Sequence, residues 1–553
     1  MDFKGILLQR GDTMNLALER RCGVRKPVNL EVFLRSSQEP VGIAKNLSLG
    51  GMFVEGKNQM SPGTKALLEF RLPAESLPIK AYSEVVWTKK EPESTGMGIR
   101  FINLYDLDRK RLQRFYEGLD CELVINSDDY TLFDFLKVSG KDLFDKTRPV
   151  WAWIEDMKKK GFYTYRRPLL SESGNRAIVF DDVTGKEREM IMMGSNNYLG
   201  LATHPKVIKA ARDAAEKYGV GAVSAPMLAG TFDVHKKLEA TLARLKGCED
   251  AVVFSSGYST NVGCISALVR EGDLAVIDRL AHASIIDGCT MSSGKFRTFK
   301  HSDMVSLREV LERNKDICEG KLIVVDGIYS MDGDIAPLPE IMEVAREYGA
   351  RVMVDDAHAT GVIGDRGRGT ASHFKMEGKV DIVMGTLSKS LGQLGGFIAS
   401  SKEVINYLRC FARSYFFATS LSPVLAAGAL AAIEVMENEP ERIQRLWENI
   451  RYFKENLKHM GFNIVENSES AIIPIIIGDE LLLRRMGKRV HEEGLFINPI
   501  PYPAVPRNQT RFRATVMATH TREDLDTALE ILEKVGREFS LIGPGASRAK
   551  RVA

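Results

Sequence analysis

The chain has 553 residues, more than one ordinary hydrophobic core contains, so two or three domains are expected. A formal net charge of +3 argues against a large surface for nucleic acid or membranes, and 44% hydrophobic and 27% charged residues are normal for a soluble protein. Seven cysteines without a C-x-x-C pair indicate reduced thiols, so neither disulfides nor a metal site is predicted. No apolar run reaches about 18 residues and no signal peptide is evident, so we predict a cytoplasmic protein without a transmembrane segment.

The first 120 residues have the pattern of a small β-barrel. Short strand-like runs occur at 28–34, 51–54, 66–70, 81–87 and 96–101, and a helical pattern follows at 106–119. Arginines precede the first run, and a turn of small polar residues has the sequence NLSLGG at 46–51. Because arginines bind phosphates bidentately and stack on purines, these clusters suit a nucleotide ligand. We therefore predict an all-β domain at 18–120 that binds such a ligand.

Together the two clusters carry the signature R-x-x-x-R followed by [D/N]-x-S-x-x-G. This part of the chain resembles a PilZ domain, the receptor module for cyclic-di-GMP. The resemblance implies that cyclic-di-GMP is a regulatory ligand of the chain. The residues implied to bind it are Arg21, Arg25, Asn46, Ser48 and Gly51.

After residue 120 the pattern changes, first to helices and then to an α/β domain. Helical patterns at 128–138 and 141–160 predict a helical linker, assigned to 121–150, ahead of a strand at 176–180. The apolar runs typical of strands buried on both faces are 251–254, 274–277, 321–325, 351–354 and 381–384. Helical segments separate them, which predicts a parallel sheet covered on both sides, with functional residues at the carboxyl ends of its strands.

Residues with unusual chemistry follow these strand ends. A turn of small residues at 255–261 opens a helix whose N-terminus can bind a phosphate, and His282 can stack on a planar ring or act as an acid or base. Asp355 can keep a pyridine nitrogen protonated, and His358 can donate to a phenolic oxygen. Lys389 lies among small residues just beyond a buried strand, where desolvation makes an amine nucleophilic. Their order along one sheet predicts that Lys389 forms a Schiff base with pyridoxal 5'-phosphate (PLP).

These residues belong to motifs that occur together in one family. The motifs are SNNYLGL at 195–201, GTxxxH at 230–235, SGY at 256–258, HASI at 282–285, YSMDG at 329–333, DxxH at 355–358, TxxK at 386–389, RSYxFxTS at 413–420 and RFRATxxAxH at 511–520. Over about 145–541 the chain resembles the α-oxoamine synthases, which are fold-type I PLP enzymes. The resemblance implies a PLP-dependent domain at 151–541, with a small C-terminal α+β subdomain at about 435–541 and a tail at 542–553.

The resemblance also implies individual roles. Lys389 would bind PLP covalently and move the substrate's α-proton, Asp355 would pair with the pyridinium nitrogen, and His358 with the phenolic oxygen. His282 would stack on the ring. The other residues implied to surround the cofactor are Ser256, Gly257, Tyr258, Ser330 and Thr386. In a homodimer with shared active sites, Thr419 would reach the phosphate bound by the partner subunit. The residues implied to hold the carboxylate of the amino-acid substrate are Asn196 and Arg513.

The implied reaction condenses an amino acid with an acyl thioester, and decarboxylation gives an α-amino ketone. Pro226 stands where family members often carry an arginine, and Pro501 stands where serine palmitoyltransferases carry another. The amino acid, the acyl chain and the choice between coenzyme A and acyl carrier protein therefore stay open.

Two alternative functions are also considered. One is a fold-type I aminotransferase, which usually has an aromatic residue at the place of His282 and a tyrosine at the place of His358. The other is a cyclic-di-GMP sensor with an inactive synthase scaffold, against which the presence of Lys389, Asp355 and His282 argues.

Overall fold

The computed structural model describes residues 26–35, 37, 39–56, 58–73, 77–91, 94–118, 125–137 and 142–543. The chain forms two compact units that divide between Tyr163 and Thr164, and each unit is described by itself. No helix within these ranges is long and apolar enough to cross a lipid bilayer.

The first unit contains a closed antiparallel barrel. Its strands are β1 (Lys26–Leu34), β2 (Pro40–Ser48), β3 (Gly51–Glu55), β4 (Lys65–Phe70), β5 (Ile79–Glu91) and β6 (Ser94–Leu104). They pair in the order β1-β2-β3-β6-β5-β4, and helix α1 (Asp106–Gly118) follows the last strand. Buried aliphatic side chains such as Val32, Leu47 and Met52 fill the barrel. The predicted barrel with a terminal helix is confirmed.

Strand β2 was missed by the sequence prediction, which treated 46–51 only as a turn. Its buried residues Val41, Ala44 and Leu47 are three positions apart. The pairing shifts register twice against β1 and once against β3, so extra residues interrupt the pairing of these strands. Such β-bulges remove the alternation of period two by which strands are recognised in a sequence.

The helical segment of the first unit differs from its prediction. Instead of one helix at 128–138, two short 3-10 helices form, Ser127–Asp129 and Leu132–Lys137. The Asp134 carboxylate accepts hydrogen bonds from the backbone N–H and hydroxyl of Thr131, which separates the two turns. Helix α2 (Thr147–Lys159) begins later than predicted, because Asp142 accepts from the Phe144 N–H in a preceding turn.

The second unit is built on a seven-stranded sheet, preceded by the antiparallel strands β7 (Arg176–Asp181) and β8 (Lys186–Met192). The strands of the large sheet are β9 (Asp250–Phe254), β10 (Leu274–Asp278), β11 (Lys295–Phe299), β12 (Lys321–Asp326), β13 (Arg351–Asp355), β14 (Ile382–Thr386) and β15 (Gly396–Ser400). They lie in the order β11-β10-β12-β13-β14-β15-β9, and only the pairs β14/β15 and β15/β9 are antiparallel. The predicted mainly parallel sheet is confirmed.

Helices cover both faces of this sheet. Alternate residues of β12 belong to different apolar clusters, Val324 to one and Ile323 and Val325 to the other, as expected for a strand buried on both sides. In chain order, the helices of the second unit, including those that pack on the small C-terminal sheet, are α3 (Pro205–Tyr218), α4 (Asp233–Lys246), α5 (Gly257–Leu268), α6 (Ala283–Met291), α7 (Met304–Asn314), α8 (Leu338–Glu347), α9 (Thr370–His373), α10 (Lys402–Phe411), α11 (Arg413–Phe416), α12 (Pro423–Asn438), α13 (Glu441–His459), α14 (Glu480–Glu492) and α15 (Arg522–Glu538).

A small sheet near the C-terminal end brings two arginines to the large sheet. Its strands pair in the order β16 (Ile472–Ile476), then β19 (Arg511–Thr515), then β18 (Asn498–Ile500), while β17 (Leu495–Phe496) joins β8. Because side chains two apart share a face of a strand, Arg511 and Arg513 point the same way. Arg511 Nη1 donates to the carbonyl of Met331 at 3.0 Å, and Arg513 Nε donates to that of Ser330 at 2.6 Å. The small sheet is thereby tied to the loop that follows β12.

One ion pair of the second unit is fully buried. Lys246 Nζ lies 2.8 Å from Asp356 Oδ2, and the two side chains are 2% and 1% exposed. Lys246 Nζ also donates to Thr360 Oγ1 at 2.8 Å, and the Asp356 carboxylate accepts from the Thr370 N–H. A buried pair with this many hydrogen bonds is costly to break from one side, because the remaining charge loses its compensation.

We therefore expect Asp356→Asn to lower the free energy of unfolding by about 3–5 kcal/mol. Denaturant-induced unfolding followed by circular dichroism measures this change. Asp213→Asn is the matched control, since Asp213 pairs with Lys209 on the surface of α3 and such pairs contribute roughly 0–1 kcal/mol. If both variants lost the same free energy of unfolding, the buried pair would be no more important for stability than the surface pair.

Candidate active site

Carboxylates end three neighbouring parallel strands at one edge of the large sheet. Asp278 ends β10, Asp326 ends β12 and Asp355 ends β13, and all three side chains are buried. Asp326 and Asp355 stand directly opposite each other in the strand register. Lys389 lies in the loop after β14, the next strand of the sheet, as the rule on strand ends predicted.

The Lys389 amine is chemically the most unusual group at this edge. Its side chain is half-buried, and burial lowers the pKa of Lys389 to about 8. The Asp355 carboxylate opposes this shift, while the positive charge of Arg513 adds to it. A far larger fraction of this amine than of an ordinary lysine is therefore neutral and nucleophilic near physiological pH, and the neutral amine is the state that Schiff-base chemistry requires.

Asp355 is held in place by two donors. Its Oδ2 accepts from Asn261 Nδ2 on α5 at 2.7 Å, and its Oδ1 accepts from the Ala357 N–H at 2.9 Å. Asn261 Nδ2 also donates to Ser284 Oγ on α6 at 2.9 Å. Asn261 and Ser284 were missed in the sequence, although Asn261 ends the small-residue turn at 255–261 and Ser284 belongs to the HASI motif.

His282 caps the N-terminus of α6 at the same edge. Its backbone N–H donates to Asp326 Oδ2 at 3.0 Å, and its Nδ1 lies 2.7 Å from Ser284 Oγ. More than a third of the residue is exposed, yet desolvation on its protein side lowers the pKa of His282 below the ordinary value, against the opposing effect of Asp355. Asp326 was quoted in the sequence only as a strand end, and its contact with His282 was not predicted.

Further carboxylates and a charged histidine stand behind this edge. Burial, together with the nearby Asp355 and Asp278, raises the pKa of Asp326 well above its ordinary value. His301 lies between Asp278 and Asp334, at 3.1 and 2.9 Å. Although burial opposes protonation, these two carboxylates raise the pKa of His301 to about 10. These contacts favour the protonated form of His301, whose charge offsets part of the negative charge at the strand ends.

A second group of polar side chains joins His358 to Arg513. The Tyr198 hydroxyl lies 2.7 Å from His358 Nδ1 and 3.2 Å from Asn196 Oδ1, which also accepts from Arg513 Nη1 at 3.2 Å. Burial, aided by the positive charges of Lys389 and Arg513, lowers the pKa of His358 well below its ordinary value. The structure thus brings four predicted residues, Asn196, Arg513, His358 and Lys389, into one site and adds Tyr198, which was quoted only within the SNNYLGL motif.

Small residues form a cradle at the N-terminus of α5. Ser256 Oγ accepts from the Ser259 N–H at 3.1 Å, and a Cβ on Gly257 would lie 2.9 Å from Thr386 Oγ1. A Cβ on Gly396 would lie 2.8 Å from the Gly257 Cα, so neither glycine leaves room for a side chain. The structure therefore brings Ser256, Gly257 and Thr386 together at a helix N-terminus, where free backbone N–H groups suit a phosphate.

Three other predicted residues remain, and the structure describes no side-chain contact between them and the groups above. Tyr258 is 48% exposed and donates a hydrogen bond to Asp287 on α6. Ser330 contributes its carbonyl, which accepts from Arg513. Thr419 is exposed, and its neighbour Ser420 donates its N–H to the Ser224 carbonyl at 3.0 Å, within the loop that also contains Pro226.

Of the predicted cyclic-di-GMP motif, the structure describes only the second half, Asn46 to Gly51. Asn46 Oδ1 accepts from the Phe53 N–H at 3.1 Å, and Ser48 Oγ donates to the Gly51 carbonyl at 3.0 Å. A Cβ on Gly51 would lie 2.1 Å from the Ile99 carbonyl oxygen, so the strand pairing requires glycine there. Arg21 and Arg25 lie outside the described residues.

The fold and the site agree with the families that the chain matches. Residues 188–532 match the family described as aminotransferase class I and II, and residues 19–118 match the PilZ domain. A lysine amine under the influence of a buried carboxylate, at the carboxyl edge of a mainly parallel sheet, fits the class I and II transferases.

Relatives narrow the family further. The chain is 45% identical over 405 residues to the 4-hydroxy-2,2'-bipyrrole-5-methanol synthase PigH of a Serratia species, covering 73% of this chain and 62% of that protein. It is 45% identical over 389 residues to the 8-amino-7-oxononanoate synthase of Thermoanaerobacter pseudethanolicus, covering 70% of this chain and 97% of that protein. The serine palmitoyltransferase of Sphingomonas wittichii is a structural neighbour with a TM-score of 0.69 and 34% identity, covering 73% of this chain and 100% of that one. The chain belongs to the α-oxoamine synthase family and carries an N-terminal PilZ domain, as predicted.

Proposed function

We propose that the second unit is a PLP-dependent C-acyltransferase that condenses a small amino acid with an acyl thioester, with decarboxylation, to give an α-amino ketone. The observation that carries this proposal is one site that combines a partly neutral lysine amine with an arginine suited to a carboxylate. The similarity to 8-amino-7-oxononanoate synthases and serine palmitoyltransferases supports the same reaction class.

The residues of the site fit PLP. Similar palmitoyltransferases were solved with PLP bound. In this chain Lys389 would hold the cofactor covalently, Asp355 would face its ring nitrogen, and His282 would cover its ring. Ser256, Gly257 and Thr386 form the cradle in which its phosphate would bind, a space that a Cβ at Gly257 would fill. When bound, PLP supplies an electron sink that stabilises negative charge on the substrate's α-carbon.

The protein's own residues then supply binding and proton transfer. Arg513 Nε donates to the Ser330 carbonyl and Nη1 donates to Asn196 Oδ1, and the guanidinium also lies beside the Tyr198 hydroxyl. Nη2 and the Asn196 amide are the groups we propose for the substrate carboxylate. Lys389 Nζ, with a pKa of about 8, can accept the α-proton of the amino acid and return it near neutral pH. The neutral His358, in contact with the Tyr198 hydroxyl, would donate to the phenolic oxygen of the cofactor.

A panel of amino acids and acyl thioesters tests this function. We expect thiol release, measured with a thiol-specific chromophore, only when an amino acid and a thioester are both present, together with evolution of CO₂. Exchange between an amino acid and a keto acid, without thiol release, would instead establish an aminotransferase. If PLP-loaded protein shows neither activity, the chain carries an inactive scaffold. Comparing acyl-CoA with acyl carrier protein thioesters in the same assay identifies the donor.

We further propose that the second unit acts as a homodimer in which Thr419 serves the partner's site. The segments 219–232 and 414–433 contain no charged residue and are joined by the hydrogen bond between Ser420 and Ser224. Within them Val223 is 92% exposed and Leu228 is 82% exposed. An apolar surface of this kind, next to Thr419, suits burial against a second copy.

Leu228→Asp is expected to weaken dimerisation about 30-fold or more, because a charge replaces an apolar contact at the proposed interface. Analytical ultracentrifugation over a range of protein concentrations measures the dissociation constant. Val305→Asp is the control, since Val305 is 68% exposed on α7. A monomeric wild-type protein with full activity would contradict the proposed shared site.

For the first unit we propose a cyclic-di-GMP-binding domain at 18–120, followed by a helical linker that precedes the enzyme domain of the second unit. Arg21→Ala and Arg25→Ala are expected to weaken cyclic-di-GMP binding at least about tenfold each, because each removes charge-assisted hydrogen bonds to phosphate. Isothermal titration calorimetry measures the affinity, and turnover is followed in the same titration. Arg35→Ala, at the end of the first strand, is the control. Unchanged affinity in the two motif variants would contradict the assignment.

A further inference from the structure

A continuous chain of hydrogen bonds leads from Asp355 to the imidazole of His282. Asn261 Nδ2 donates to Asp355 at 2.7 Å and to Ser284 Oγ at 2.9 Å, and Ser284 Oγ lies 2.7 Å from His282 Nδ1. Asn261 and Ser284 are each 1% exposed, so water does not compete for these contacts. We call these four residues the relay.

The Asp355 carboxylate determines which group is the donor in every hydrogen bond of the relay. The Asp355 carboxylate can only accept, so the Asn261 amide must present its NH₂ group there, which leaves Asn261 Oδ1 without a hydrogen-bond partner among the described residues. The same NH₂ group donates to Ser284 Oγ. The Ser284 hydroxyl proton is then free to be donated to His282 Nδ1, which also faces the Ser284 backbone N–H at 3.3 Å.

We propose that Asn261 and Ser284 are positioning residues that keep the His282 imidazole neutral, with Nδ1 as acceptor and the proton on Nε2. This inference rests on the proposed function, in which His282 covers the PLP ring. A proton on Nδ1 would leave the Ser284 hydroxyl without its acceptor and would face the Ser284 N–H, so the relay disfavours the imidazolium.

The charges around His282 explain why such a relay is needed. Asp355 and Asp287 favour a positive imidazole, Lys389 disfavours it, and Asp326 contacts the His282 backbone. Two carboxylates near a histidine would ordinarily promote protonation. Burial and the directed hydrogen bonds act against them. A neutral ring with its proton on Nε2 keeps one donor available within the site, and it places no second cation beside the Lys389 amine.

Carbethoxylation by diethylpyrocarbonate tests the relay, because this reagent reacts with neutral imidazole. The full-length protein is freed of PLP and modified between about pH 5 and 8, where histidine titrates. Mass spectrometry of the His282 peptide gives the rate at that residue, and exposed His373 serves as an internal control. We expect Ser284→Ala and Asn261→Ala to slow the reaction of His282 at about pH 6 roughly threefold, since a larger fraction is protonated.

Two comparisons make the outcome specific. Ser284→Thr keeps the hydroxyl and should restore the wild-type pH profile, and the double variant should be no slower than either single variant, because both break one chain. Unchanged rates in Ser284→Ala, or a Ser284→Thr profile equal to that of Ser284→Ala, would overturn the relay. If Asn261→Ala does not fold, the comparison of Ser284→Ala with Ser284→Thr decides the question alone. Protection of wild-type His282 by added PLP is scored separately: its absence contradicts the proposed cofactor position and leaves the relay result intact.

Discussion

Lys389→Ala is expected to lower kcat/KM by about 10⁴-fold or more and to abolish the visible absorption band of bound PLP. The reason is that, in the proposed function, the Lys389 amine supplies both the covalent attachment and the base. Steady-state kinetics and absorption spectra measure the two effects. Retention of the band in Lys389→Ala would show that another amine holds the cofactor.

The pH dependence of cofactor capture provides a second check on Lys389. The neutral amine is the nucleophile, and its pKa is lowered to about 8. The rate at which PLP-free protein captures PLP should therefore rise with pH, with a midpoint near pH 8, and level off roughly one pH unit higher. Because the Asp355 carboxylate raises the pKa of Lys389, the midpoint should move to lower pH in Asp355→Asn. A midpoint near that of an ordinary lysine would contradict the desolvated site.

Asp355→Asn is expected to lower kcat by about 10²–10³-fold while costing less stability than Asp356→Asn, which breaks a buried ion pair. The single oxygen of the asparagine can still accept from Asn261, although its NH₂ group then faces the Ala357 N–H, and the side chain carries no charge to hold a proton on the ring nitrogen of the cofactor. Kinetics and denaturant-induced unfolding on the same protein measure both quantities.

The neighbouring residue in sequence supplies the contrast. Asp356 points to Lys246, away from the site, so its replacement by asparagine should reduce stability far more than Asp355→Asn does. Comparing the variants of these two adjacent carboxylates therefore distinguishes an effect on catalysis from an effect on folding. If Asp355→Asn were as destabilising as Asp356→Asn, the loss of activity could not be assigned to the charge.

The sequence was informative where a single local rule decides the structure. Continuous apolar runs identified the buried strands, and the rule on strand ends brought Lys389 and Asp355 to one edge. Strand β15 was missed because its glycine pair resembles a loop, and β11 because Lys295–Phe299 alternates with charged residues at the sheet edge. The helix predicted at 128–138 was wrong because the Thr131–Asp134 contact splits it, a local competition that apolar periodicity does not reveal.

The sequence indicated the reactive groups of the site but not the residues that hold those groups in place. Lys389, Asp355 and His282 carry recognisable chemistry, whereas Asn261 and Ser284 are ordinary residues in a sequence. They gain meaning only because α5 and α6 pack side by side, which brings residues 23 positions apart within 2.9 Å. Tyr198 is similar, since its contact with His358 joins residues 160 positions apart.

The spacing of the two arginines on β19 limits how this enzyme could acquire new substrates. Arg511 ties the small sheet to Met331 and Asp332, while Arg513, one side-chain period further on, faces Asn196. Changing the strand to suit another amino acid would therefore risk loosening the attachment between sheets. Asn196 lies outside the named strands, in the turn after β8, so it takes no part in the attachment of the small sheet to the Met331 and Ser330 carbonyls. We expect that variation in amino-acid preference, natural or engineered, enters through that turn, with β19 retained as a fixed frame.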